Sequence, residues 1–277
     1  MYQHKVESIQ HICYIMDGDR TYAITKKVRK LEINNYAYYS GFLSLERLME
    51  MTFKKIGIKY LSINLVGRRN CYKRPESIKK VVDLTPKFFG KKWIQFFIKN
   101  KIRVKFYGDL DVFCNLSEDP NLIKDEIKKI EEITSKFEEH FLLVMAAYEP
   151  FEEYKKLFKI SNSNDLSIEE AKLKYYGFLV PDVNFIIRTW KPKFTGCLPI
   201  MLTDYSDIYF FTAPFQYFKL KDLNYIVEDY LSRSTSSSTN YTDNDILTIQ
   251  NNIKSIKSGK IYVLGKKINN IWLPLNK

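Results

Sequence analysis

His11-Ile12-Cys13-Tyr14-Ile15-Met16 is an almost unbroken apolar run that stops abruptly at Asp17-Gly18-Asp19. A run this short and this apolar fits a strand covered on both faces, the hallmark of parallel sheets. Parallel strands need long crossover connections, so such a chain folds as helices on both sides of an open sheet. In sheets of that kind ligands collect where a strand's carboxyl end turns into a loop. Two carboxylates two residues apart, followed by Arg20, suit one task there: a carboxylate holds a divalent cation while the guanidinium and backbone N–H groups hold phosphate. On its own, Asp-Gly-Asp after a strand is more often a plain turn.

Downstream, the pattern alternates between helix and strand. Phe42, Leu45, Leu48, Met49, Thr52, Phe53 and Ile56 share one face of a helix expected from Ser40 to Lys55, ended by Gly57. A strand from Ile58 to Val66 follows, completing a right-handed βαβ unit. It runs into Gly67-Arg68-Arg69-Asn70-Cys71-Tyr72-Lys73-Arg74-Pro75, a basic loop on the sheet edge that holds Asp17. That position favours anion binding, with a solvated loop as the alternative. Further helices are expected at Ser77–Lys99, Pro120–Glu139, Pro150–Phe158, Ser167–Tyr176 and Leu220–Leu231. The fourth of these opens with a Ser167-x-x-Glu170 capping box. Strands are expected at Ile102–Tyr107, Phe141–Tyr148, Pro181–Thr189 and Asp207–Phe211, and the third delivers Arg188 to the Asp17 edge. The chain therefore reads as an α/β domain over 1–233, a polar linker over 234–245, and an extension over 246–277. The extension holds a helix, Ile246–Ile256, and a hairpin of Lys260–Leu264 with Ile268–Leu273.

Composition narrows the classes. The 277 residues are 45% hydrophobic, enough for a real core, and no apolar stretch is long enough to span a bilayer. The first ten residues lack the apolar segment of a signal peptide, so a cytoplasmic protein is expected, with peripheral contact to a membrane left open. The four cysteines are scattered, with no ligand spacing for zinc. A net charge of +12 points to anionic partners. The basic residues are spread along the whole chain, as on a solvated surface, and do not argue for nucleic acid.

An ordered set of motifs then stands out. These are H-I-x-x-I-M-D-G-x-R-x-Y-A, G-I-x-x-L-S, K-R-P-E, I-R-V-K-x-x-G-D-L, P-D-x-x-x-I-I-R-T and Y-S-D-I-Y-F, spread from Gln10 to Arg233. Their order and spacing resemble the cis-prenyltransferases, the undecaprenyl and dehydrodolichyl diphosphate synthases. The resemblance implies a mostly parallel central sheet flanked by helices, with a hydrophobic tunnel for a growing polyisoprene chain. It implies Mg²⁺, isoprenoid diphosphate substrates, and a homodimer or a heterodimer with another family member. Phe42, Phe89, Trp93, Phe96, Phe97 and Phe141 are candidates to line the tunnel, though for any one of them core packing is the favoured reading. By the same resemblance Asp17 is the catalytic, metal-binding carboxylate, Asp207 is the second metal ligand in place of a glutamate, and Arg188 grips a diphosphate. Gly18, Asp19, Arg20, Arg68, Arg69, Arg74, Lys191 and Lys193 complete the diphosphate-binding set.

The departures are substantial. Asp19 replaces the usual asparagine, and Thr21 stands where a further arginine is expected. The His-x-x-Gly segment reads Tyr38-Tyr39-Ser40-Gly41. S-x-E-N-W reads Arg68-Arg69-Asn70-Cys71-Tyr72, and R-T-x-G-E-x-R-x-S reads Arg188 to Gly196 without its glutamate, second arginine and serine. Two readings follow. One is a divergent Mg²⁺-dependent prenyltransferase using isopentenyl diphosphate, or performing an irregular coupling or cyclisation. The other is a non-catalytic subunit that stabilises an active partner.

Overall fold

The computed structural model describes residues 8–193, 196–233, 242–252, 265–268 and 271–274. In chain order the elements are β1 (His11–Ile15), α1 (Asp19–Thr25), α2 (Ile33–Met49), β2 (Tyr60–Asn64), α3 (Arg68–Lys73), α4 (Pro75–Thr85), α5 (Ile94–Lys99) and β3 (Ile102–Gly108). They continue with α6 (Leu110–Cys114), α7 (Pro120–Thr134), β4 (His140–Ala146), α8 (Pro150–Asn164), α9 (Ile168–Tyr176), β5 (Phe185–Thr189), β6 (Asp207–Phe211), α10 (Leu220–Arg233) and α11 (Asp243–Asn251). The last two are β7 (Gly265–Ile268) and β8 (Ile271–Pro274).

Six strands form one parallel sheet in the order β3-β4-β2-β1-β5-β6. This is the α/β architecture that the alternating pattern demands. β1 and β2 are buried along their whole length because helices cover both faces. The chain leaves β4 on one side of β1 and re-enters at β5 on the other, which creates a switch point at the carboxyl end of β1. The larger core lies on one face, where Phe42, Leu45 and Leu48 of α2 meet Ile78, Val81 and Val82 of α4. On the other face Tyr107, Tyr148 and Tyr176 gather around Glu153, a buried carboxylate that accepts from the Tyr176 hydroxyl at 2.6 Å and from that of Tyr148.

Two expected helices are built differently in detail. The Ser40–Lys55 helix begins earlier, at Ile33, and widens into a π-helical turn at Glu50–Ile56 before Gly57 ends it. The long helix expected over Ser77–Lys99 is three pieces: α4, a π-helical turn at Pro86–Lys92, and α5. Proline lacks an N–H and clashes with the preceding turn, so Pro86 breaks the α pattern there. The capping box of α9 forms as read, Ser167 Oγ accepting from the Glu170 N–H at 3.2 Å.

In the carboxyl-terminal part, β7 and β8 pair antiparallel. The expected strand Lys260–Leu264, most of the polar linker, and the end of the helix drawn to Ile256 lie outside the described residues. No described helix is long and apolar enough to cross a membrane.

Candidate active site

Asp17 sits just past β1, and its main chain is clamped from two sides. Its N–H donates to Thr189 Oγ1 at 2.8 Å, while its carbonyl accepts from the same hydroxyl at 2.9 Å and from the Phe215 N–H at 3.1 Å. Its side chain is divided in the same way. Oδ1 accepts from the Gly18 N–H at 2.8 Å, and Oδ2 accepts from Arg188 Nη2 at 2.7 Å. The parallel register aligns Ile15 with Arg188, so β1 and β5 deliver both partners to one edge. Arg188 is almost wholly buried, whereas the Asp17 side chain stays 41% exposed to the space above the sheet. Gly18 makes the turn with φ at +101°, and a Cβ there would lie 2.7 Å from the Pro214 Cα, so only glycine fits.

Asp19 opens α1 with its carboxylate turned inward, accepting from Gln216 Nε2 at 2.6 Å. Gly41 makes room for it, because a Cβ on that residue would come within 2.8 Å of Asp19 Oδ1. Burial, reinforced by the nearby Asp17 charge, pushes the Asp19 carboxyl up to about 6.

Two chambers meet at this pair of carboxylates. A small one, about 90 Å³, has an apolar wall of Met16, Phe42, Leu45, Ile78, Val81 and Phe215 and a polar mouth of Asp17, Asp19, Tyr38, Asn64, Asn70 and Arg74. The larger, about 480 Å³, is lined by Arg20, Lys30, Arg74 and Lys191 together with Asp17, Asp19, Tyr38 and Trp190. Several buried polar atoms around Asp17 have no hydrogen-bond partner among the described residues: Tyr38 Oη, Asn64 Nδ2, Arg74 Nε, Arg188 Nε and Gln216 Oε1. Four of those five belong to groups that can donate. Tyr38, Asn64 and Arg74 line the chambers, and because buried donors are normally satisfied these three suit an acceptor-rich ligand there.

The residues singled out in the sequence divide accordingly. Asp17, Gly18, Asp19, Arg20, Arg74 and Lys191 line the chambers, and Arg188 holds Asp17. Lys193 instead borders a separate crevice with Ile186, Arg188 and Phe210. Arg68 and Arg69 reach neither chamber. The expected basic loop is the short helix α3, in which Arg68 Nε donates to Asp109 Oδ2 at 3.0 Å and Arg69 is exposed. Asp109 neutralises Arg68, so that charge is not available to an anion at the site.

Asp207 is the largest correction. It pairs with Phe185 at the opening of β5, whereas Arg188 pairs with Phe210. The three-residue offset puts Asp207 about 10 Å back along the strand, at the amino end of the sheet. Within one chain it cannot share a metal ion with Asp17, because the motif that carries it enters β6 rather than leaving it. Among the described residues no group of three or more His, Cys, Asp or Glu could hold a metal.

Of the tunnel candidates, Phe42 lines the apolar chamber beside Asp17, while Phe89, Trp93, Phe97 and Phe141 are packed core residues, the alternative reading given for each. Sequence reading missed Tyr38, Asn64, Asn70, Trp190, Gln216 and Lys30 as site residues. Asn64 ends β2, a position that strand-end logic could have flagged; nothing local marks Gln216.

The sequence model of the family described as "Putative undecaprenyl diphosphate synthase" matches residues 15–237. The chain belongs to this family. Its curated relatives include an isoprenyl transferase of Treponema denticola, 25% identical over 231 residues, covering 82% of this chain and 96% of that protein. Another is a geranylgeranyl-diphosphate-specific tritrans,polycis-undecaprenyl-diphosphate synthase of Methanopyrus kandleri, 24% identical, covering 81% and 82%. Among solved structures, lavandulyl diphosphate synthase of Lavandula x intermedia, in complex with dimethylallyl diphosphate, shares the fold. Its TM-score is 0.69 at 16% identity, over 81% of this chain and 95% of that one. The family and its fold are those of prenyl diphosphate synthases, which are transferases.

Proposed function

We propose that this cis-prenyltransferase family member binds an allylic isoprenoid diphosphate at Asp17 and transfers its prenyl group to a second isoprenoid, isopentenyl diphosphate in the simplest case. The observation that carries the reading is the set of orphaned buried donors that share a chamber with the carboxylate pair, Tyr38 Oη, Asn64 Nδ2 and Arg74 Nε. A diphosphate offers the many acceptor oxygens those groups lack, and the larger chamber adds Arg20, Lys30 and Lys191 for its charge.

The reaction breaks the allylic carbon–oxygen bond, and diphosphate departs with the electron pair. The isopentenyl double bond supplies the electrons for the new carbon–carbon bond, and a proton is lost from the adjacent carbon. In this reading Arg74, on the wall of both chambers, and Arg188, bound to Asp17, stabilise the charge gathering on the leaving diphosphate. The apolar wall of Phe42, Leu45 and Phe215 keeps water from the electron-poor carbon. The site fits Mg²⁺ in that Asp17 presents a partly exposed carboxylate with Asp19 beside it, and Mg²⁺ needs only one or two carboxylates plus substrate phosphates. When bound it would neutralise charge on the diphosphate oxygens. A dimer is part of the proposal, since β6 is an edge strand with Ile208 and Phe210 exposed.

The test is incubation with radiolabelled allylic diphosphates, with and without isopentenyl diphosphate and Mg²⁺, alongside Asp17→Ala. A Mg²⁺-dependent product that Asp17→Ala fails to make is expected. No turnover, combined with stimulation of a co-expressed active homologue, would replace the enzyme with the accessory-subunit reading.

A further inference from the structure

The link between α1 and α2 reads Lys26-Lys27-Val28-Arg29-Lys30-Leu31, four cations and two aliphatic residues in six positions. It forms a fixed knuckle. Lys27, at φ +55°, closes α1 in a left-handed cap, where its own N–H donates to the Ile24 carbonyl at 2.9 Å and that of Val28 to Ala23 at 3.3 Å. Arg29 then pairs with Glu32 across one tight helical turn, Lys30–Glu32. In that turn Leu31 is 93% exposed, and no described large apolar residue is more so. Beside the knuckle runs an open groove of about 790 Å³, walled by Tyr36 and Tyr39 of α2 and by Lys80 and Leu84 of α4. Tyr36, Tyr39 and Leu43 are exposed along one face of α2. Lys87 Nζ lies 5.1 Å from the centre of the Tyr39 ring, and Lys26 Nζ lies 5.1 Å from that of Tyr22, which stacks on Tyr36. Of the nearby acids, Glu32 is taken by Arg29 and Asp83 by Lys79 at 2.9 Å. Among the described residues no carboxylate pairs with Lys26, Lys27, Lys30, Lys80 or Lys87, so the patch is strongly positive.

We propose that the Lys26–Leu31 knuckle and the Tyr36–Tyr39 face of α2 dock on an anionic bilayer surface, with Leu31 inserted among the headgroups. Charge and polarity both fit that occupant. Lysines beside a negative surface are attracted to it, tyrosines settle with their rings in the interface and their hydroxyls in water, and a protruding leucine reaches the acyl boundary. A protein partner fits less well, because the centres of protein interfaces are depleted in lysine. Lys30 also walls the larger chamber, so docking sets the mouth of that chamber against the bilayer. The inference goes beyond the function proposed above and does not depend on it, since attachment and turnover are measured separately.

The experiment is co-sedimentation of the full chain with vesicles of phosphatidylcholine alone and of phosphatidylcholine with an equal part of phosphatidylserine. Binding is expected to the anionic vesicles only, and to be released by high salt. Three variants are measured beside it, with thermal melts to verify folding: Lys26→Glu with Lys27→Glu, Leu31→Ala, and Lys128→Glu with Lys129→Glu. The last pair makes the same change in net charge on the exposed face of α7. Reversing Lys26 and Lys27 is expected to weaken vesicle binding by about ten-fold or more. Leu31→Ala is expected to weaken it by about three-fold or more, and the α7 pair by less than about two-fold. No binding to the anionic vesicles, equal losses in the two charge-reversed pairs, or full retention by Leu31→Ala overturns the inference, and each leaves the proposed function standing.

Discussion

At the scale of single residues, the pair Asp17 and Asp19 separates two roles for one side-chain type. Asp17 accepts from the Arg188 guanidinium, while Asp19 faces inward and accepts from the Gln216 amide. Asp19 titrates near 6 in the folded chain, against about 3.8 when exposed. The folded state therefore holds the proton more tightly. Stability from this group is complete below pH 4 and is lost as pH rises to 6, the loss amounting to about 2–3 kcal/mol above that range. Asp19→Asn keeps the shape and removes the charge. It is expected to raise unfolding stability by about 2 kcal/mol at pH 8 and by nothing at pH 3.5, measured by urea denaturation at each pH. An equal gain at both pH values would exclude burial of the charge as the cause.

At the scale of elements, the site is an assembly of strand ends and the helix starts that follow them. Thr189 at the end of β5 holds Asp17, and Asn64 ends β2 at the same edge. The junction of α3 and α4 places Arg74 at both chambers, while Arg68, one helix earlier, is tied to Asp109. The two arginines should therefore respond differently. Arg74→Ala is expected to weaken diphosphate binding by about 2–5 kcal/mol, because a buried anion contact disappears. Arg68→Ala should leave that affinity unchanged to within about two-fold and cost under about 1 kcal/mol of stability, as partly exposed ion pairs do. Isothermal titration with inorganic diphosphate, paired with urea unfolding, checks both. The turn at Gly18 belongs here too. Gly18→Ala adds a strained φ and a collision with the Pro214 backbone, so loss of turnover and a lowered melting temperature are expected.

At the scale of the whole molecule, a net charge of +12 surrounds the proposed diphosphate site. Long-range attraction should speed substrate capture and be screened by salt. kcat/KM is expected to fall by about ten-fold between low salt and several hundred millimolar, while kcat changes little. A flat salt profile would mean that the distributed lysines play no part in capture. The sheet itself sets the limits of the site. Six parallel strands offer one carboxyl-terminal edge, and residues at the opposite edge, Asp207 among them, cannot join it within a single chain.

Helices and strands were readable in the sequence because their causes are local: apolar spacing, Gly57 and Gly177 in left-handed turns, and the Ser167–Glu170 cap. The strand-end logic that marks Asp17 and Arg188 is also local, since each closes an apolar run. Other features depend on groups distant in the chain. Register alone decided that Asp207 enters its strand rather than leaves it, and only Asp109 revealed that Arg68 is already neutralised. Sequence spacing could not show that Phe42, on the wall of the chamber beside Asp17, stacks on a ring 46 positions away. A residue's type and spacing state what it can do; its partners across the fold determine whether it stays free to do it.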